Sequence, residues 1–276
     1  MLKYSHNISK IILVVIYFST SQLLSQVNPF VNGMLGKYYD PNKVNFSEEF
    51  QRYLLSAAKG NKDISPNIQA YDLSPIWLSG LYCRNGVIGS TYKRIQVYIS
   101  SAKRNDAHLT QYSVHGKTKV GKIVRKFSGW IQVRHAFEWK DTLDVPPNSG
   151  TLIAEYLFKE DSSLGYTGTF QGNLSSDFVL LPSKHLAYLD TSYIVADGYA
   201  NNTFVGTWTQ YKSTNAKKCI WGDYRLPYTF DFDKGDGEMY VNPKYRANGW
   251  QSYDDNTESK FDSTSGRYIP VDQWWK

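Results

Sequence analysis

The stretch Gly165-Tyr-Thr-Gly-Thr-Phe-Gln-Gly-Asn-Leu174, together with Phe204-Val-Gly-Thr-Trp-Thr-Gln-Tyr211, decides the fold class. Side chains in both stretches alternate with a period of two, which is the period of a β-strand. Two glycines of the first stretch share a face with Phe170, and the glycine of the second shares a face with Trp208. Glycine on an aromatic face is typical of strongly curved antiparallel strands, because a bulky ring can lie across it. The pattern predicts a rolled or closed sheet.

Further alternating segments separated by turn residues fill the chain after residue 75, for example Arg94–Ile99, Lys122–Glu138 and Leu152–Phe158. Consecutive strands with short connections form a meander. We therefore expect a mainly β domain over residues 76–276, built as an antiparallel up-and-down β-barrel or a barrel-like sandwich.

An N-terminal segment, residues 26–75, precedes this domain and contains the one helix that the sequence predicts, at about 46–59. Asn45 and Glu48 have the spacing of a capping box, and Gly60 can end the helix. Packing on the sheet and plugging a barrel mouth are both open to such a helix.

Residues 1–25 have the features of a secretory signal peptide: two early lysines, a short apolar run and a small residue, Ser25, before the expected cleavage site. The apolar run is shorter than the roughly 20 residues that span a bilayer. We expect an exported chain, periplasmic or extracellular as in Gram-negative bacteria, with no membrane span after cleavage. The net charge of +6 is scattered and densest at Lys117–Lys126. In an exported protein this favours a solvated hairpin rim over a nucleic-acid site.

Cys83 and Cys219 are the two cysteines of the chain. In an oxidising compartment an isolated pair most simply forms one disulfide. A metal site is disfavoured, because no second cysteine or histidine stands at ligand spacing beside either residue. We expect a Cys83–Cys219 disulfide.

The triplet Gly206-Thr207-Trp208 resembles the Gly-X-Trp element of the calycins, the superfamily that includes lipocalins and avidins. Residues 165–211 are also similar to the Gly-Thr-Phe and Gly-Thr-Trp pattern of uncharacterised bacterial secreted β proteins. The resemblance implies a barrel that can hold a small apolar ligand. The alternative is an interior filled by aromatic side chains, since a barrel of about eight strands can be packed solid.

Four residues are the candidates for lining or gating a ligand site: Trp208, Trp221, Tyr224 and Arg225. Arg225 could clamp a carboxylate or phosphate of a ligand, with Asp223 holding the guanidinium in place. The alternative is that this arginine locks a loop.

Asp231, Asp233, Asp236 and Glu238 resemble a calcium loop, because they supply hard oxygen ligands between glycines. The segment fails the EF-hand template, which requires a ligand at Gly235. Calcium binding and a charged turn between strands are the two interpretations.

Support for catalysis is thin, because the chain has no nucleophile elbow, zinc-protease motif or phosphate loop. Glu138 and Glu155 could face one another as glycosidase carboxylates do, which makes an extracellular carbohydrate-active hydrolase the alternative function. The first hypothesis is a non-catalytic domain that binds a small hydrophobic or glycan ligand or another envelope component, without cofactor and without nucleic acid. A structural or adhesion module is the third possibility.

Overall fold

Eight antiparallel β-strands form a closed barrel in a computed structural model of the protein. The structure describes residues 29–30, 45–79, 83–140, 145–181, 186–189, 199–254, 259–263 and 267–276. The strands of the barrel are β2 (Arg84–Ile88), β3 (Lys93–Arg104), β4 (Gln111–Val120), β5 (Ile123–Glu138), β6 (Ser149–Glu160), β7 (Gly168–Leu180), β9 (Ala200–Gln210) and β10 (Ala216–Tyr224). Each pairs with the next, and β10 returns to pair with β2. The sequence prediction of an up-and-down barrel is therefore confirmed.

Smaller elements decorate the barrel. These are β1 (Lys62–Asp63), β8 (Leu186–Tyr188), β11 (Ser259–Asp262), β12 (Arg267–Pro270), α1 (Phe46–Ala57), α2 (Ser74–Leu78), α3 (Gln251–Asp254) and two 3₁₀ turns, Ser65–Ala70 and Pro243–Asn248. β1 pairs with β5, β8 pairs with β7, and β11 and β12 form a separate hairpin.

The glycines predicted to permit curvature lie where strands β7 and β9 come close together. Gly172 is opposite Gly206 in the register of these two strands. A Cβ atom on Gly206 would lie 2.7 Å from the hydroxyl oxygen of Tyr156 and 2.0 Å from the carbonyl oxygen of Gln171. Gly172 and Gly206 thus make room for the ring of Tyr156, which lies along the wall from β6 across β7 to β9.

Aromatic rings fill the middle of the barrel. Phe204 and Trp221 stack with ring centroids 5.0 Å apart, and Tyr156 packs edge-on against both. Phe158 and Phe170 continue this cluster toward one end. The interior is therefore packed, as the second interpretation of the calycin-like motif expected, and it contributes stability by burying apolar area.

A short helical segment closes one end of the barrel. Four apolar side chains are buried in the same core as the inward faces of the strands: Ile68 of the first 3₁₀ turn, Leu73 just before α2, and Ile76 and Trp77 of α2. The ring of Trp77 packs edge-on against Tyr112 of β4 at 4.9 Å. The expectation that strands begin at Ile76 was wrong, because this residue lies in α2.

We call the segment formed by the first 3₁₀ turn and α2 the plug. A buried polar network fixes the plug to the strands. Arg84 donates to the carbonyl oxygens of Trp77 and Ser79 and is ion-paired with Asp223 at 3.4 Å. Asn202 donates to Asp223 at 3.0 Å and to the carbonyl oxygen of Ile76 at 3.1 Å. Carbonyl groups of the plug thus find donors that come from β2 and β9.

A second apolar core lies on the outside of β2, β9 and β10. Phe46 and Phe50 of α1 pack there with residues that follow β10, among them Tyr228. The side chain of Asn45 accepts from the backbone N–H of Glu48 at 3.4 Å and caps the helix, as the sequence indicated. α1 therefore covers the outer wall of the barrel and does not enter its mouth.

The expected Cys83–Cys219 disulfide does not form. Cys219 is opposite Ile88 in the pairing of β10 with β2, and Cys83 precedes Ile88 by five residues. At about 3.4 Å per residue this separates the two cysteines by about 17 Å, whereas a disulfide needs Cα atoms about 4.4–6.8 Å apart. The prediction failed because it rested on compartment and cysteine count, without the strand register.

The expected signal peptide, residues 1–25, lies outside the described residues. No helix among the described residues is long and apolar enough to cross a membrane.

Candidate functional site

The end of the barrel opposite the plug forms an open mouth. Four hairpin turns surround it, between β2 and β3, β4 and β5, β6 and β7, and β9 and β10. Within these turns lies a cavity of about 390 Å³ whose floor contains Phe170 and Trp208. This volume is in the range of small-ligand pockets.

A buried carboxylate, Glu160 at the end of β6, lies at the floor of the mouth. Its Oε2 accepts from the indole Nε1 of Trp208 at 3.1 Å and from the backbone N–H of Gly168 at 2.9 Å, while Oε1 accepts from the hydroxyl of Thr118 at 3.1 Å. Burial raises the pKa of Glu160, and these hydrogen bonds and the charge of Arg125 oppose the rise. The carboxylate therefore holds the Trp208 ring in one orientation.

Three cationic side chains surround the entrance: Lys93, Arg125 and Lys217. The ammonium of Lys217 lies 5.3 Å from the centre of the Trp208 ring, within the range of a cation–π interaction. Arg125 donates to the carbonyl oxygen of Gly165 at 3.0 Å, which joins the β4–β5 hairpin to the β6–β7 turn. The mouth thus combines an aromatic floor with a positively charged entrance.

Comparison with known proteins adds no relative. No protein-family model, curated protein or solved structure matches this chain. The closed eight-stranded barrel is consistent with a calycin-like fold, and the arguments for a site rest on its geometry.

The four predicted ligand-binding residues do not form one site. Trp208 lies at the floor of the mouth, while Trp221 is in the middle of the packed interior and is 1% exposed. Tyr224, at the far end of β10, packs against Tyr199 with ring centroids 5.3 Å apart. Arg225 lies in the segment after β10.

Arg225 locks a loop, as the structural interpretation expected. Its guanidinium is ion-paired with Asp233 at 2.8 Å and donates to the carbonyl oxygens of Gly235 and Asp236. The partner is therefore Asp233, whereas Asp223 faces Arg84 in the plug network.

The acidic segment after residue 230 is arranged around backbone and basic partners. The other oxygen of Asp233 accepts from the backbone N–H groups of Gly235 and Tyr240, and Asp231 is paired with Lys244. Among the described residues, which include Asp236 and Glu238, no three histidine, cysteine or acidic side chains come together as metal ligands. Asp231 and Asp233 thus hold this loop through Lys244 and backbone N–H groups, and calcium binding stays an untested prediction.

Glu138 and Glu155 are too far apart to act as a glycosidase pair. Glu155 is opposite Gln132, whereas Glu138 is opposite Gly150, five residues away along β6. That separation is about 17 Å along the strand, beyond the roughly 5–9.5 Å between such carboxylates. Each glutamate is ion-paired, Glu138 with Lys62 and Glu155 with Arg134. The expectation that they face one another was wrong, because the hairpin register separates them.

A wider groove, about 880 Å³, lies on the outer wall between the first turn of α1 and strands β5–β9. Trp130, Leu157, Gln171 and Thr207 form a row across four neighbouring strands of its floor. Asn173 fixes the helix above this groove by donating to the carbonyl and hydroxyl oxygens of Ser47. The groove is mainly polar in its side chains and has one indole ring.

Sequence reasoning missed Glu160, Arg125, Lys93 and Lys217 as site residues. A signal for Glu160 was present, because it follows Phe158 by two positions and so continues the inward-facing set of β6. The role of the cations depends on which turns meet at one end of the barrel, and that requires the topology.

Proposed function

We propose that this protein is a non-catalytic binding domain that takes a small ligand at the open mouth of the barrel. An apolar or aromatic part of the ligand would lie on Phe170 and Trp208, and an anionic group would face Lys93, Arg125 and Lys217. The observation that carries the proposal is the concave aromatic floor ringed by three cations. The calycin resemblance implies a barrel that can hold a small apolar ligand, and the barrel fold is compatible with that likeness.

The packed interior limits how deeply the ligand can enter. Phe170 and Trp208 stand above Trp221, and the ring of Phe170 packs edge-on against Trp221 at 5.7 Å. A ligand at the mouth therefore rests on top of the aromatic core, and its polar end stays near the entrance. Small anionic ring compounds fit this arrangement better than long apolar chains.

Two fluorescent probes test the proposal, because they share one ring system and differ by a sulfonate. We expect 8-anilino-1-naphthalenesulfonate to bind with one molecule per chain and more tightly than N-phenyl-1-naphthylamine, which lacks the charge. Lys93→Gln with Lys217→Gln should reduce this difference and leave the part due to Arg125, since each near-surface cation contributes on the order of 1 kcal/mol. Fluorescence titration measures both affinities.

Trp208→Leu should weaken both probes by about tenfold or more, because stacking on the indole is lost. Trp274→Leu is the matched control, as this indole lies by Lys119 on the outside of the barrel. Circular dichroism verifies that each variant is folded, so that probe binding to unfolded chains is excluded. Equal affinities for the two probes, or an effect of Trp274→Leu as large as that of Trp208→Leu, would contradict the proposal.

A glycan ligand is the second candidate, and the outer groove favours it. Trp130 offers a ring on which a sugar can stack, beside Gln171 and Glu155 as hydrogen-bonding groups. Binding of oligosaccharides would then depend on Trp130 and be indifferent to Trp208→Leu.

The proposal also includes export of the chain from the cytoplasm. The basic and apolar leader over residues 1–25 supports secretion to the periplasm or beyond, where envelope components are the accessible partners. N-terminal sequencing of the chain from its host is the test, and a start at Gln26 is the expected result.

A further inference from the structure

The mouth carries an apolar rim on one side. Ile123 and Val124, at the start of β5, are 46% and 37% exposed, and Leu164 and Tyr166, in the β6–β7 turn, are 48% and 78% exposed. Arg125 bridges the two hairpin tips through its hydrogen bond to Gly165. We call the four exposed residues Ile123, Val124, Leu164 and Tyr166 the apolar rim. Ile123 and Tyr166 both line the mouth cavity, and exposed apolar side chains grouped in this way are typical of interaction sites.

Basic side chains flank the apolar rim. Lys122 and Lys126 are exposed on the same hairpin as Ile123, and Lys212 and Lys217 are exposed on the β9–β10 hairpin. Among the described turns at this end of the barrel, Asp161 supplies the one acidic residue, and it is bonded to Ser163 within its own turn. Asp272 is paired with Lys119 beside the β4–β5 hairpin, so the excess positive charge around the apolar tips comes from Lys122, Lys126, Lys212 and Lys217.

The backbone of Tyr166 adds to the case for an interaction surface. Its φ of 55° lies in the left-handed region, which costs free energy for a residue other than glycine. A tyrosine there is held out into solvent, where it buries little of its ring in the folded chain. Tyrosine is also a residue that settles at the boundary between lipid headgroups and acyl chains.

From these observations we infer that the apolar rim docks the barrel, mouth first, onto an anionic lipid surface. Apolar side chains enter the interfacial layer while Lys122, Lys126, Lys212 and Lys217 contact headgroup phosphates, which is the pattern of peripheral membrane attachment. A second copy of this chain is disfavoured as the occupant, because a two-fold contact would bring identical positive rims together. Docking would place the mouth against the source of an amphiphilic ligand, but it does not require that the mouth bind one.

Vesicle flotation tests the docking. We expect the chain to float with vesicles that contain phosphatidylglycerol, to bind pure phosphatidylcholine far more weakly, and to lose binding at high salt, where the screening length falls to about 3 Å. In a variant with Ile123→Ser, Leu164→Ser and Tyr166→Ser, the affinity for these vesicles should fall by about tenfold or more. Lys122→Gln and Lys126→Gln should each reduce binding by about fivefold at low salt.

The matched control carries Leu55→Ser, Leu109→Ser and Tyr240→Ser, which change exposed apolar residues away from the mouth. It should bind vesicles like the parent chain, and because all variants share one N-terminus, any contribution of residues 1–25 cancels. Equal loss in rim and control variants, or no preference for the anionic lipid, would overturn the inference. Self-association that depends on concentration and is abolished in the rim variant would also overturn the inference, because the apolar rim would then bind a second copy of the chain. Ile123 and Tyr166 also line the mouth cavity, so Trp208→Leu is the variant that separates the two proposals: it should weaken the probes and still float like the parent chain.

Discussion

At the scale of single residues, Lys218 is the side chain whose surroundings are least expected from its type. Its ammonium lies 5.1, 4.8 and 5.0 Å from the ring centres of Phe46, Tyr92 and Phe230, and it donates to the carbonyl oxygen of Tyr228 at 3.0 Å. These contacts join β10 to α1 and to the segment after the barrel. Burial lowers the pKa of Lys218 to about 8 from its ordinary value of 10.5.

This shift makes stability depend on pH. Between about pH 8 and 10.5 the unfolded chain binds more protons at Lys218 than the folded chain does, so the free energy of unfolding rises with pH over that window. Below pH 8 both states are protonated, and the cost of burying the cation is fully present. We expect urea titrations across this window to show a steeper rise for the parent chain than for Lys218→Met. Tyrosines titrate in both chains, so their contribution cancels when the stability curve of Lys218→Met is subtracted from that of the parent chain. Parallel curves of unfolding free energy against pH would contradict the expectation.

At the scale of elements, the plug depends on a buried charge pair that it does not itself contain. Arg84 is 2% and Asp223 0% exposed, and Arg84 donates to the carbonyl oxygen of Trp77 in α2. Removing one member of such a pair leaves an uncompensated charge, which costs about 3–5 kcal/mol. The plug is therefore held in place by the electrostatics of β2 and β10 as well as by the packing of Trp77.

Arg84→Met should lower the free energy of unfolding by about 3–5 kcal/mol, because Asp223 stays buried without its cation. Arg134→Met is the matched control: its pair with Glu155 is 48% and 37% exposed, so about 1 kcal/mol or less is expected. Chemical denaturation monitored by tryptophan fluorescence measures both. Similar losses in the two variants would show that the network does not anchor the plug.

Sequence reasoning found the strands because their inward faces alternate, and the glycines that share a face with Phe170 and Trp208 predicted a rolled or closed sheet, with a barrel and a barrel-like sandwich both open. It could not find α2, whose five residues are too few for a helical period and whose apolar side chains also suit a strand. It placed Trp208 at what is now the candidate site and misjudged Trp221, which is the same residue type and also faces the barrel interior. The two differ only in depth along the barrel, and depth is set by register.

At the scale of the whole molecule, stability comes from two apolar cores, one inside and one outside the barrel wall, without a covalent link between the cysteines. Cys219 is 0% exposed, and burial raises the pKa of its thiol. Little reactive thiolate is therefore present in the folded chain.

We expect two thiols per chain to react with Ellman's reagent after denaturation in the absence of reductant. In the native chain Cys219 should be protected, and Cys219→Ala should identify its share of the signal. Dithiothreitol should leave the melting temperature unchanged. A denatured, unreduced chain with no reactive thiol would show that the two cysteines are paired.

The seam of the barrel has a consequence for how the chain is made. Ile88 and Cys219 are neighbours across the β2–β10 pairing although one belongs to the first strand of the ring and the other to the last. Every strand between them must be synthesised before the ring can shut, and contacts so distant in sequence form slowly. Until then the aromatic faces of β6, β7 and β9 are exposed to solvent. A nascent chain that ends before Tyr224 is therefore an incomplete sheet that is prone to aggregate and is a candidate for chaperone binding.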